Sequence, residues 1–62
     1  MKLSEELVSV LELVCMGLSN KEISIKLNYS TRTVERRIKK LFELYKVNKR
    51  TLLAQEYLME KL

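Results

Sequence analysis

The chain has 62 residues and a net charge of +4, with no histidine, no proline, one cysteine and one glycine. That length allows one small domain, which buries only about 60% of its unfolded surface, and a single cysteine allows no internal disulfide. Without histidine, a glycine-rich phosphate loop or a nucleophile–base pair, the composition argues against a metal site, a cofactor and an enzyme.

The first predicted helix spans about residues 4–16. Ser4 suits its N-cap, and Glu5 and Glu6 favour the positive end of the helix dipole. Leu7, Val10, Leu11, Val14 and Leu18 share one face and are expected in the core. Cys15 lies beside that stripe and is expected to be a buried thiol, in keeping with a reducing compartment. Gly17 ends the helix, because it takes a left-handed conformation without strain. This stretch, from Leu7 to Leu18, is the most apolar of the chain. It is too short to span a bilayer and is interrupted by Glu12. Glu5 and Glu6 sit where a signal peptide would be basic. A cytoplasmic protein is expected.

Ser19-Asn20-Lys21-Glu22 is a capping box that opens a second helix over about 20–27. Ile23 and Leu27 point inward, and the small Ser24 allows a crossing helix to approach. Ile25 points outward. Asn28-Tyr29-Ser30 makes a short turn. The third helix, about 31–46, begins with hydroxyl residues and contains neither glycine nor proline. Val34, Ile38, Leu41, Phe42 and Tyr45 fall on one face, while Arg32, Arg36, Lys39 and Glu43 project from the other. A short capped helix, a brief turn and a longer basic-faced helix form a helix-turn-helix.

The charge is concentrated there. Residues 30–50 carry Arg32, Arg36, Arg37, Lys39, Lys40, Lys46, Lys49 and Arg50 against Glu35 and Glu43, a net +6, whereas residues 1–29 and 51–62 each carry −1. A basic stripe on a near-neutral domain is the electrostatic footprint of a nucleic-acid binder. Asn48 is the expected N-cap of a last helix, about 49–61. That helix has two apolar faces, Leu53, Ala54, Tyr57 and Leu58 on one, Leu52, Gln55, Glu56 and Met59 on the other. One face serves the core, and the second is a candidate contact surface.

Gly17-Leu18-Ser19-Asn20-Lys21-Glu22-Ile23, followed by Ser30, Thr33-Val34-Glu35, Val47 and Arg50-Thr51, closely resembles the LuxR/NarL/FixJ-type helix-turn-helix domain of bacterial transcription regulators. The resemblance covers nearly the whole chain. It implies an all-α, four-helix domain over residues 1–62, with the third helix in the DNA major groove and a C-terminal dimerisation helix. Leu52, Gln55, Glu56 and Met59 would then form the dimer contacts, with Leu52 in place of a common acidic residue. Glu6, Leu7 and Ser9 stand where Arg, Glu and Glu are usual. Arg37 stands where His is frequent and is more like sigma factor region 4. Relatives usually carry an upstream receiver or ligand-binding domain, so the chain is expected to be either a stand-alone regulator, as GerE-like members are, or the output domain of a response regulator.

The resemblance and the helix geometry together give Glu35, Arg36 and Lys39 as base-edge contacts. Ser30, Thr31, Arg32, Thr33, Lys40, Lys46, Lys49 and Arg50 are the expected phosphate contacts. The expected partner is double-stranded DNA in the bacterial nucleoid, bound by a weak homodimer or a dimer formed on DNA. The alternative is an interaction module, sigma region 4-like, that binds RNA polymerase or another regulator through Ile25 and the fourth helix.

Overall fold

A computed structural model describes residues 2–62; Met1, the first residue of the expected domain, lies outside them. Among the described residues there are four helices and no strand: α1 Glu5–Cys15, α2 Asn20–Leu27, α3 Thr31–Tyr45 and α4 Arg50–Glu60. The first three start where the side-chain chemistry places them. The Ser4 hydroxyl oxygen accepts from the Leu7 N–H at 3.3 Å. Ser19 accepts from the Glu22 N–H at 3.2 Å while the Glu22 carboxylate accepts from the Ser19 N–H at 2.7 Å, and these bonds hold the Glu22 carboxyl below its usual range. Ser30 accepts from the Thr33 N–H at 3.1 Å.

The same three helices end alike. After α1, Gly17 has φ +85, the Leu18 N–H reaches the Leu13 carbonyl at 3.2 Å and the Gly17 N–H reaches that of Val14 at 3.0 Å. Asn28 after α2 and Lys46 after α3 also have positive φ, 60 and 57. The following residues, Tyr29 and Val47, bond back to Ser24 and Phe42 at 2.9 and 3.0 Å. This double bond back into the last turn is the Schellman termination. Glycine and asparagine enter the left-handed region readily, whereas lysine does so at a cost.

α1 and α3 each pack against all three other helices, whereas α2 and α4 do not pack on each other. The core consists of Val10, Leu11, Leu13 and Val14 from α1, Ile23 from α2, Val34, Ile38, Leu41 and Tyr45 from α3, and Leu53 and Tyr57 from α4. Ser24 is buried among them and satisfies its hydroxyl by donating to the Lys21 carbonyl at 2.6 Å.

Several expectations are corrected. Leu13, outside the expected stripe, is buried because α1 is covered on more than one side. Leu7 and Leu18 are only half-buried, as is Phe42. Cys15 is half-buried rather than fully so; it sits in the last turn of α1 at the edge of the core, where burial pushes its thiol up. Leu58, expected inward, is 54% exposed, since α4 meets the core along one narrow stripe through Leu53 and Tyr57. The cap of α4 is Lys49, not Asn48, and its side chain makes no capping bond. A tertiary contact of Arg50, described below, anchors that end.

Two consequences follow for stability. Lys46→Gly removes a left-handed lysine that costs about 1–2 kcal/mol, partly offset by the added freedom of the unfolded chain. A net gain of roughly 1 kcal/mol raises the melting temperature of so small a domain by about 4–8 °C, read by circular dichroism. Burial, reinforced by the neighbouring Glu60 carboxylate, pushes the Tyr45 phenol from its ordinary 10 up to about 12. The unfolded chain therefore loses this proton first. Stability is fully present below pH 10 and falls as pH rises toward about 12. Tyr45→Phe removes that part of the loss in melts recorded on either side of pH 10.

Candidate nucleic-acid interface

α3 carries both halves of the site. Burial of Val34, Ile38, Leu41 and Tyr45 fixes its rotation, because a helix has only about 100° between successive side chains. Arg32, Glu35, Arg36, Lys39, Lys40 and Glu43 are then all exposed. The three residues expected at base edges, Glu35, Arg36 and Lys39, lie together on this outward face, with Arg32 one turn before Arg36. Ser30 and Thr31 are exposed at the start of the helix and Thr33 is half-buried. The hydroxyls of Ser30 and Thr33 stand 3.0 Å apart, so they act as a pair. Lys46 and Lys49 are exposed beyond the C-terminal end of α3.

Arg50 differs from the other expected phosphate contacts. Its Nη1 donates to the Asn20 Oδ1 at 2.6 Å and its Nη2 to the Leu18 carbonyl at 2.5 Å. The backbones of α2 and α4 do not pack on each other, so this guanidinium joins the first residue of α4 to the start of α2. It anchors the uncapped N-terminus of α4 and holds the α1–α2 turn from which α2 departs.

Arg37 was not among the expected site residues, and the structure gives it a defined place. Its Nη1 is 3.2 Å from the Glu6 carboxylate, and its Cζ lies 5.1 Å from the centre of the Tyr29 ring, a cation–π distance. Its Nε is shielded from solvent without a hydrogen-bond partner. Arg37 thereby touches both α1 and the α2–α3 turn. It also lines an open groove of about 440 Å³ between the N-terminus of α1 and α3, together with Ser4, Leu7, Thr33, Arg36 and Lys40. The signals available in the sequence were its charge and its place where the family frequently has His; its partners Glu6 and Tyr29 are 31 and 8 residues away.

Several exposed apolar side chains sit elsewhere. Leu52 is 40% exposed and Met59 60% exposed on α4, beside Gln55 and Glu56; Ile25 is 72% exposed on α2. No helix of the described residues is long and apolar enough to cross a membrane.

Comparison with known proteins bears on this arrangement. The family described as bacterial regulatory proteins, luxR family (GerE), matches residues 1–57. A protein named as a probable transcriptional regulator, ycf29, from Pyropia yezoensis is 47% identical over 47 residues, which cover 76% of this chain. The chain spans about a fifth of that relative's length, 21%. No solved structure matches the chain significantly.

Removing the Arg50 clamp leaves the Asn20 and Leu18 acceptors without their charged donor. Hydrogen bonds to charged groups contribute about 1.5–3 kcal/mol, so Arg50→Gln lowers the unfolding free energy by an amount of that order in urea titrations. An Arg50→Lys variant recovers only part of it, because one ammonium cannot reproduce two divergent bonds.

Proposed function

This chain belongs to the luxR family of bacterial regulatory proteins, and from that premise we propose that it is a sequence-specific, double-stranded DNA-binding transcription regulator, or the output domain of one, that reads the major groove with α3. The observation that carries this reading is the two-faced α3: an apolar back buried in the core and a front on which Arg32, Arg36, Lys39 and Lys40 are exposed. The B-form major groove is about 12 Å wide, and an α-helix with its side chains is about 10–12 Å across. The front of α3 fits that space.

Arg36 and Lys39 offer donors to the N7 and O6 acceptors of guanine, and Glu35 offers an acceptor to the amino group of cytosine. Ser30, Thr31, Arg32, Thr33, Lys40, Lys46 and Lys49 contact phosphates and set the register. The first turn of α3 adds backbone N–H groups that favour an anion. Arg50 acts at one remove, by holding the turn that carries α2. A location in the cytoplasm, at the nucleoid, follows from this reading.

A single module of this size buries little surface on DNA and binds weakly alone. A second copy, joined through Leu52, Gln55, Glu56 and Met59 of α4, adds affinity by engaging two half-sites at once. The exposure of Leu52 and Met59 supports that seam.

Selection from a random duplex library at near-physiological salt tests the reading. It is expected to enrich two half-sites about one helical turn apart. Arg36→Ala shifts the enriched sequence, since a good base contact discriminates by about 1–3 kcal/mol. Lys46→Gly, which leaves the fold intact, weakens all duplexes alike and lowers the salt dependence by about 0.9 in log–log slope, the share of one phosphate. Equal, sequence-independent losses in both variants would show that Arg36 does not read bases.

A further inference from the structure

We propose that the groove between the N-terminus of α1 and α3 is a phosphodiester-binding site in which Arg37 is a direct ligand, held ready by Glu6 and Tyr29. The proposal rests on the DNA reading above and adds to it a contact on the side of α3 that faces α1.

Thr33, Arg37 and Lys40 are spaced i, i+4 and i+7, so they form one stripe along the flank of α3, adjacent to Arg36 on its front. Ser4 and Leu7 supply the opposite wall. A helix whose front fills the major groove brings its flanks against the phosphodiester rims, because the helix and the groove have nearly the same width. The stripe facing α1 is therefore where one strand's backbone passes. The groove concentrates Arg36, Arg37 and Lys40 around one opening, and among the described residues the acidic side chain paired with them is Glu6. Its charge balance favours an anion.

Arg37 is better prepared for this than a surface lysine. The Tyr29 ring supports its guanidinium plane, its Nε is already withdrawn from water, and Glu6 engages Nη1. A guanidinium has five donors in a rigid fork, so Glu6 can orient it from one terminal nitrogen while the other serves a phosphate oxygen. Little side-chain freedom is lost on binding. Glu6 also sets a limit, since its own charge opposes the incoming phosphate.

The experiment measures binding of a random-sequence duplex of about two helical turns to the full chain across a range of salt concentrations, for the parent, Arg37→Gln and Glu6→Gln. Arg37→Gln is expected to reduce the log–log salt slope by about 0.9, with its affinity loss shrinking as salt rises. Glu6→Gln is expected to tighten binding by roughly two- to fivefold at low salt, the scale of one exposed charge pair. A brace that only positions α3 gives the opposite result for Glu6→Gln, because breaking the pair from either side would then weaken binding. An unchanged slope in Arg37→Gln, or weaker binding by Glu6→Gln, overturns this site while leaving the DNA reading in place. If Arg37→Gln loses its helical signal, Glu6→Gln decides alone. Failure of the parent chain to bind any duplex overturns the DNA reading and this site with it.

Discussion

Everything in this domain depends on the burial of one face of α3. Val34 and Leu41 are completely enclosed, and Ile38 and Tyr45 nearly so. In a chain this short those four side chains are a large share of the core, so α3 has no other rotation that keeps the fold. The helix front is thereby presented outward without any interaction of its own to hold it there. That front mixes like pairs such as Arg32–Arg36 with opposite pairs such as Glu35–Lys39, each worth a few tenths of a kcal/mol, so its own charges do little to hold or oppose the helix. The back of the same helix supplies far more through apolar burial, about 25 cal/mol per Å². The candidate binding surface and the surface that carries the stability are two sides of one element.

The position of α3 is in turn set by how the helices end. Three consecutive helices close with the same left-handed termination, at Gly17, Asn28 and Lys46. Each turns the chain sharply and lets the next helix pack back onto α1. The start of α4 has no side-chain cap and relies on Arg50, which reaches across to Asn20 and the Leu18 carbonyl. The glycine turn after α1, the capping box of α2 and the first residue of α4 thus form one connected unit. It orients α2, against which α3 packs.

Much of this was legible in the sequence because it is local. The i, i+4, i+7 spacing of Val34, Ile38 and Leu41, the Ser19–Glu22 capping box and the stop at Gly17 each depend on residues within one or two turns, and each appears where periodicity and capping chemistry put it. The family resemblance rested on the same residues. The parts that were not legible depend on partners far along the chain. Leu13 is buried because α1 is surrounded, which a single amphipathic stripe does not express. Leu58 is exposed because the core offers α4 only a narrow contact. Asn48 has the chemistry of a cap, yet the helix starts after Lys49 because Arg50 finds its partners thirty residues away. Arg37 stood out only as a departure from the frequent His of the family, and its pairing with Glu6 and Tyr29 is invisible to spacing within α3.

The same distinction changes the meaning of the basic stripe. Counted as net charge alone, the eight cations between residues 30 and 50 are equivalent, and together they suggest a diffuse attraction to polyanions. The fold makes them unequal. Arg50 is half-buried and gives two of its donors to neutral acceptors within the fold, so it serves the architecture. Arg37 is half-buried, with its charge partly answered by Glu6. Arg32, Arg36, Lys39 and Lys40 are exposed along one helix, where their spacing matches a groove rather than a point. A diffuse field attracts any polyanion, whereas cations ordered by a rigid helix and sorted into front and flank can treat base edges and phosphates differently. The direction of each cation is therefore set by the core packing, which the net charge does not express.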